Sequence, residues 1–96
     1  MKYFHRTSLP IDDVLAAADR FFDGRLERTS AGEGWRTYGG TPGTVTVSVR
    51  AEGGHYTLVQ LATDQVGESE ADKLAKRFLA VAHARAHEGH IVRGAY

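Results

Sequence analysis

Three histidines near the end of the chain have a residue type and spacing that could bind a metal ion. His83 and His87 are four residues apart, and His90 follows three residues later. On a helix, residues four apart lie on one face, one turn from each other. Two imidazoles so placed can ligate a divalent ion such as zinc, nickel or copper, with His90 or Glu88 as a third ligand. The alternative is that they are half-exposed residues at a helix end, where protonation suits the helix dipole.

Other residue types offer less for catalysis or binding. The chain has no cysteine, which excludes thiolate catalysis, disulfides and cysteine-based zinc sites, and it has no Gly-x-Ser-x-Gly motif. The glycine-rich segment 39–43 lacks the ending of a phosphate-binding loop, so we interpret it as a hairpin connection. A run of acidic residues matches no calcium loop and suits a helix N-terminus: Asp64, Glu68, Glu70 and Asp72. The sequence favours a protein without catalytic activity and leaves the question open.

Length and composition predict a single domain over residues 1–96. The hydrophobic fraction of 42% and the charged fraction of 25% are typical of a globular protein. Basic and acidic residues both number 12, for a net charge of zero, which argues against a nucleic-acid partner because phosphates attract a basic surface. No stretch approaches the roughly 20 apolar residues of a membrane-spanning helix. We therefore expect a cytoplasmic protein with no membrane span.

The elements that must position these residues are organised around a predicted β-hairpin over residues 44–63. Its first half alternates polar and apolar residues, and its second half is rich in aromatic and branched residues. Gly53 and Gly54 can take positive φ at the centre of a two-residue turn. Such a turn would pair Val49 with Leu58.

The remaining elements follow from hydrophobic spacing and from helix start and stop signals. Pro10 is suited to the start of a first helix and Gly24 to its end, while Ser69 resembles the N-cap of a second helix. The last residues, 89–96, show no clear pattern. The predicted elements are a strand at 2–7, a helix at 11–22, strands at 25–31 and 35–38, and a helix at about 70–88.

This order predicts an α+β fold with the layout β-α-β4-α, in which two helices, the longer one C-terminal, pack on one face of an antiparallel sheet of four to five strands. The order resembles that of the TATA-binding-protein-like and helix-grip (START-like lipid-binding) folds, where an antiparallel sheet curls around a long C-terminal helix. The resemblance covers the element order over nearly the whole chain. It implies a hydrophobic ligand between the long helix and the sheet as one possible function.

One face of the sheet is predicted to form the core with the helices. A loop of four residues before Val45 would place Arg36 and Tyr38 on this face, and a loop of five would place Trp35 there. We expect Trp35 to pack in the core rather than to stack on nucleic-acid bases. The sheet should contribute Val45, Val47, Val49 and Leu58, and the helices Val14, Leu15, Ala18, Phe21, Phe22, Leu74, Phe78, Val81 and Ala82.

The opposite face is predicted to be flat and uncharged, a property that suits contact with a second copy of the chain in a two-fold dimer. The alternative is that a helix of the same chain, or residues 91–92, covers this face. Its predicted residues are Thr46, Ser48, Thr57, Val59 and Leu61.

We therefore expect a small non-catalytic binding or assembly module, a homo-oligomer or a subunit of a larger complex, whose partner is another copy or another protein. Two alternatives remain, a small hydrophobic-ligand carrier of helix-grip type and a metal-binding protein that uses His83, His87 and His90.

Overall fold

The computed structural model describes residues 1–66 and 69–94, with side chains as far as residue 86. It contains one antiparallel sheet, with strand order β1-β5-β4-β3-β2, and two helices. The predicted α+β class and element order are confirmed, and the second helix continues past its predicted end. The elements are β1 (Lys2–Thr7), α1 (Ile11–Phe22), β2 (Glu27–Gly32), β3 (Trp35–Gly40), β4 (Gly43–Glu52), β5 (Tyr56–Thr63) and α2 (Glu70–Gly94).

The first helix begins and ends where its sequence signals predict. Pro10 precedes α1 with a φ of −60°, the value that its ring imposes and that a helix start accepts. Gly24 follows the last turn with a φ of +79°. In this left-handed conformation the chain reverses, and the N–H groups of Arg25 and Leu26 both donate to the Phe22 carbonyl.

The second helix begins at the predicted N-cap, which belongs to a larger polar network. The Asp72 amide donates to Ser69 Oγ at 3.2 Å. The Asp72 carboxylate is fully buried and accepts hydrogen bonds from the hydroxyls of Ser69, Tyr3 and Thr63 at 2.6, 2.7 and 3.0 Å. Burial acts to raise the Asp72 pKa, but these hydroxyls outweigh it and hold the pKa below its ordinary value. One carboxylate thus joins β1, β5 and α2.

The register of the β4–β5 hairpin differs from the prediction by one residue. Its loop has three residues, Gly53–His55, rather than two, so Val49 pairs with Val59 and not with Leu58. Successive side chains of a strand point to opposite faces, and a one-residue shift therefore exchanges the two faces of β5. The predicted place of Leu58 in the core is wrong, because Val59 occupies that face instead.

Both helices pack on the same face of the sheet and share one core with it. Its centre is aromatic: the Phe22 ring lies 4.5 Å from the Tyr38 ring and 5.7 Å from the Phe78 ring, measured between centroids. The predicted helix residues are buried there, except that Val81 is only partly buried. The sheet contributes Val45, Val47, Val49, Val59 and Leu61, together with Tyr38.

Trp35 lies on the opposite face, so the prediction that it packs in the core is wrong. Arg36 and Tyr38 instead pair with Val47 and Val45, the face assignment that a four-residue loop predicted. Trp35 pairs with Ser48, whose neighbours Val47 and Val49 are the buried residues of β4. The Trp35 indole extends across Gly32 of β2, where a Cβ atom would overlap the ring. Gly32 therefore allows the indole to lie flat against the sheet.

Candidate functional site

The sheet face opposite the helices is left open by the helices of the described part of the chain. Both helices contribute to the core on the other side, so within residues 1–66 and 69–94 no helix covers this face. The side chains of residues 91–92, the alternative cover, lie outside the described residues. We call this surface the open face. Its middle cross-strand row consists of Phe4, Gln60, Ser48, Trp35 and Gly32.

Aromatic side chains mark both ends of that middle row. Phe4, on the edge strand β1, is 60% exposed. Trp35 is 37% exposed and reaches over Gly32 toward the other edge of the sheet. Between them lie Ser48 and Gln60, which are half-buried. The row thus has two apolar ends around a small polar centre.

The rows on either side of the middle row differ in charge. One row consists of Lys2, Ala62, Thr46, Thr37 and Ser30, and its Thr37 and Thr46 hydroxyls are 3.2 Å apart. In the other row, Leu58 lies between Arg6 and Arg50. Leu58 is buried outside the main core and borders a cavity of about 180 Å³. The middle row of the open face is therefore uncharged, with Lys2 in one neighbouring row and, toward the hairpin end, Arg50 and the ion pair between Arg6 and Glu52.

The five residues predicted for an interface do not share this face. Thr46 and Ser48 lie on it, as the middle and neighbouring rows show. Thr57, Val59 and Leu61 lie on the core face, where Val59 and Leu61 are fully buried. The shift in hairpin register explains the error, because it sends the aliphatic residues of β5 inward. The exposed apolar groups of the open face are instead aromatic.

The structure pairs His83 with a histidine that the helical spacing did not indicate. His83 of α2 lies beside His5 of β1, with ring centroids 5.7 Å apart and planes at 73°. The predicted partners His87 and His90 have side chains outside the described residues. Among the described residues no group of three or more metal-ligating side chains occurs. The sequence did not indicate His5 as a neighbour of His83, because no local pattern shows which strand lies beside α2.

A second polar cluster joins α1 to the β2–β3 edge of the sheet. The Asp19 carboxylate accepts a hydrogen bond from the Tyr38 hydroxyl at 2.7 Å and lies within 3.4 Å of the guanidinium groups of Arg28 and Arg36. Burial and the Asp19 hydrogen bond raise the Tyr38 pKa, so the phenol stays protonated as a donor. Two arginines and a phenol engage Asp19, which indicates a structural link rather than a general base.

A wide concave surface lies at the hairpin end of the molecule. A groove of about 730 Å³ runs between the start of α1, the β2–β3 turn and the β4–β5 hairpin. Its apolar lining includes Leu9, Ile11, Val49 and Tyr56. This groove is separate from the contact between α2 and the sheet, where the helix-grip resemblance implies a ligand.

Comparison with known proteins provides no family for this chain. No family model, curated protein or solved structure matches it. The resemblance to TATA-binding-protein-like and helix-grip folds therefore rests on element order alone. No helix in the described part of the chain has the length and apolar content to cross a membrane.

Proposed function

We propose that this protein is a small non-catalytic assembly module that forms a two-fold dimer through its open face. The observation that carries the proposal is the exposure of Phe4 and Trp35 on a sheet face that no described helix covers. A water-facing side of an antiparallel sheet usually carries polar and charged residues at its centre. Exposed aromatic groups around an uncharged centre are instead typical of a protein contact surface.

The arrangement of the middle row supports a second copy as the partner. A two-fold axis parallel to the strands and close to β4 would place β1 of one copy opposite β2 of the other. Phe4 of each copy would then meet the Trp35 indole that lies over Gly32 of the other copy. Ser48 and Gln60 of both copies would meet at the centre, where hydroxyl and amide groups can pair. Each aromatic contact would add about 0.5–1.5 kcal/mol beyond its buried area.

The size of the face is consistent with a modest dimer. Five strands at a spacing of about 4.8 Å, with about six residues each at about 3.4 Å per residue, give a footprint of roughly 24 by 20 Å. Two such faces amount to about 960 Å² before side-chain relief is counted, close to the roughly 1,000 Å² expected of a specific interface. Because weak and transient contacts lie at this low end of the interface size range, we expect a dissociation constant on the order of micromolar.

Sedimentation velocity over a concentration series tests this proposal. The wild-type chain should shift from monomer to dimer through the micromolar range, and Phe4→Asp should remain a folded monomer because it would bury an unpaired charge. Val66→Asp is the matched control, since Val66 is 80% exposed and lies outside the sheet. A wild-type chain that stays monomeric at high micromolar concentration, or a dimeric Phe4→Asp variant, would contradict the proposal.

Trp35 provides a direct report of the contact, because it is the single tryptophan of the chain. Covering its exposed indole should move the fluorescence emission to shorter wavelength as protein concentration rises. The shift should be absent in Phe4→Asp and present in Val66→Asp. An emission spectrum independent of concentration in a chain that sediments as a dimer would place the contact elsewhere.

The groove at the hairpin end supports a second candidate function, a carrier of a small hydrophobic ligand. Its volume of about 730 Å³ lies within the roughly 300–1,000 Å³ typical of small-molecule sites. Native mass spectrometry of the purified protein would detect a retained ligand. Such a ligand should be lost in Ile11→Asp, which alters the groove lining, and kept in Phe4→Asp. A ligand retained equally by both variants would exclude the groove.

A further inference from the structure

We propose that His5 and His83 form a two-histidine binding site for a transition-metal ion such as Zn²⁺. The ligands come from β1 and α2, which pack against each other. The site differs from the predicted set of three helix histidines, because the first strand supplies one of the imidazoles. It lies on the core side of the sheet, since His5 pairs with the buried Val59, and is therefore independent of the open face.

The ring geometry is close to that of two imidazoles on one metal ion. The His5 and His83 centroids are 5.7 Å apart, with the planes at 73°. A zinc ion lies about 2.0–2.1 Å from each ligating nitrogen, so tetrahedral ligation places two imidazole centroids about 5 Å apart. The observed separation would have to shorten by only about half an ångström, a change within reach of side-chain rotation.

His5 carries a nitrogen without a hydrogen-bond partner in the part of the chain that the structure describes. The Nε2 atom is buried among the described residues and makes no hydrogen bond with them, which is unfavourable for a polar group. A metal ion at this nitrogen would replace the missing interaction. Burial, and secondarily the neighbouring His83, lower the His5 pKa.

A bound ion would tie the first strand to the last helix. An ion that binds the folded chain in preference to the unfolded chain raises stability in proportion to the logarithm of its concentration. With two protein ligands, water molecules would complete the coordination sphere, so the ion should exchange readily. Acidification should release it, because protonated imidazoles do not ligate metals.

Titration of the tag-free chain with ZnCl₂ near neutral pH, by calorimetry and by thermal unfolding, tests the site. Wild type should bind Zn²⁺ and unfold at a higher temperature with it. Loss of an outer-shell partner already weakens metal binding about 10–100-fold, so loss of a ligand in His5→Gln or His83→Gln should weaken it at least about tenfold. His87→Gln is the matched control, because it removes the predicted helix partner and leaves the proposed pair intact.

The outcome at His5 decides the proposal. Zinc affinity in His5→Gln equal to that of wild type, or no zinc binding by wild type at millimolar concentration, would overturn it. Loss in both His5→Gln and His87→Gln would uphold the pair and add His87 as a third ligand. If His5→Gln unfolds at a lower temperature without metal, the zinc affinity of His83→Gln provides the same test, because His83 is exposed and its replacement should disturb the fold less. Phe4→Asp should bind Zn²⁺ normally, so failure of the dimer leaves this proposal standing.

Discussion

A single buried carboxylate connects three elements of this fold. Asp72 receives hydroxyl hydrogen bonds from Tyr3 of β1, Thr63 of β5 and the N-cap Ser69. A buried carboxylate without such donors would become protonated or would be strongly destabilising. Because it has three donors, Asp72 stays charged and its pKa lies below the ordinary value. Its contribution to stability should therefore be measurable and dependent on pH.

Replacement of Asp72 by asparagine should destabilise the protein at neutral pH. The amide keeps the size of the side chain but offers one acceptor oxygen in place of two, so at least one of the three partly buried hydroxyls loses its acceptor. We expect a decrease of about 1–3 kcal/mol in the free energy of unfolding, measured with urea. Glu33→Gln, at an exposed turn position, removes the same charge and should be near neutral. Equal effects of the two variants would show that Asp72 contributes only through net charge.

The difference between wild type and Asp72→Asn should shrink on acidification. The pKa of Asp72 is lower in the folded chain than in the unfolded chain, where it takes its ordinary value of 3.8. The unfolded state therefore binds the proton first, and the stabilisation is present above this value and is lost as pH falls through the folded pKa. Urea unfolding of both proteins across this range measures the change. A difference that stays constant into strong acid would contradict the assignment.

At the scale of elements, substitutions in β5 test the observed hairpin register most directly. Val59 is fully buried on the core face, whereas its neighbour Gln60 points to the open face. Val59→Asp should prevent folding, because a buried unpaired charge costs several kcal/mol, and Gln60→Asp should fold. Circular dichroism separates the outcomes. A folded Val59→Asp variant would support the sequence-based register instead.

Replacing a phenylalanine by alanine on each face of the sheet provides a second test, of which face packs against the helices. Phe78 is fully buried in the core, and Phe4 is 60% exposed on the open face. Phe78→Ala should lower the free energy of unfolding by about 3–5 kcal/mol, which for a domain of this size could abolish folding. Phe4→Ala should change it by less than about 1 kcal/mol when measured on the monomer. Thermal unfolding of both variants checks the layer arrangement.

The element order was predictable because its signals are local. Pro10, Gly24 and Ser69 mark helix ends through their own backbone or side-chain chemistry, and the structure places the ends there. The hairpin register was not fixed in this way, because Gly53 and Gly54 fit a loop of two or three residues. The two-residue loop would have buried Gln60, so a count of polar groups in the core would have favoured the observed register.

The candidate sites could not be predicted from the sequence, because they are formed by contacts between segments that are distant in the chain. Strand pairing with Ser48 determines which side of the sheet Trp35 occupies. The packing of α2 beside β1 brings His5 next to His83. Both require the position of elements that are distant in the sequence. Helical spacing indicated His83 as a candidate ligand, but it had no means of indicating a neighbour on the first strand.

At the scale of the whole molecule, the sheet combines two kinds of connection. Strands β2 to β5 are adjacent in sequence and pair consecutively, as in a meander. Strand β1 comes first in the chain but pairs with β5, the last strand. The sheet is complete only when these two distant segments meet.

This pairing sets an expected order of folding events. Consecutive hairpins close short loops, whereas joining β1 to β5 must first overcome the entropy of closing a loop that spans about half of the chain. We expect the meander to be formed in the transition state and β1 to join afterwards. Val47→Ala should then slow folding, while Tyr3→Phe should mainly accelerate unfolding. Stopped-flow measurements across a urea series separate the two rates, and a Tyr3→Phe variant that folds slowly and unfolds at the wild-type rate would reverse this order.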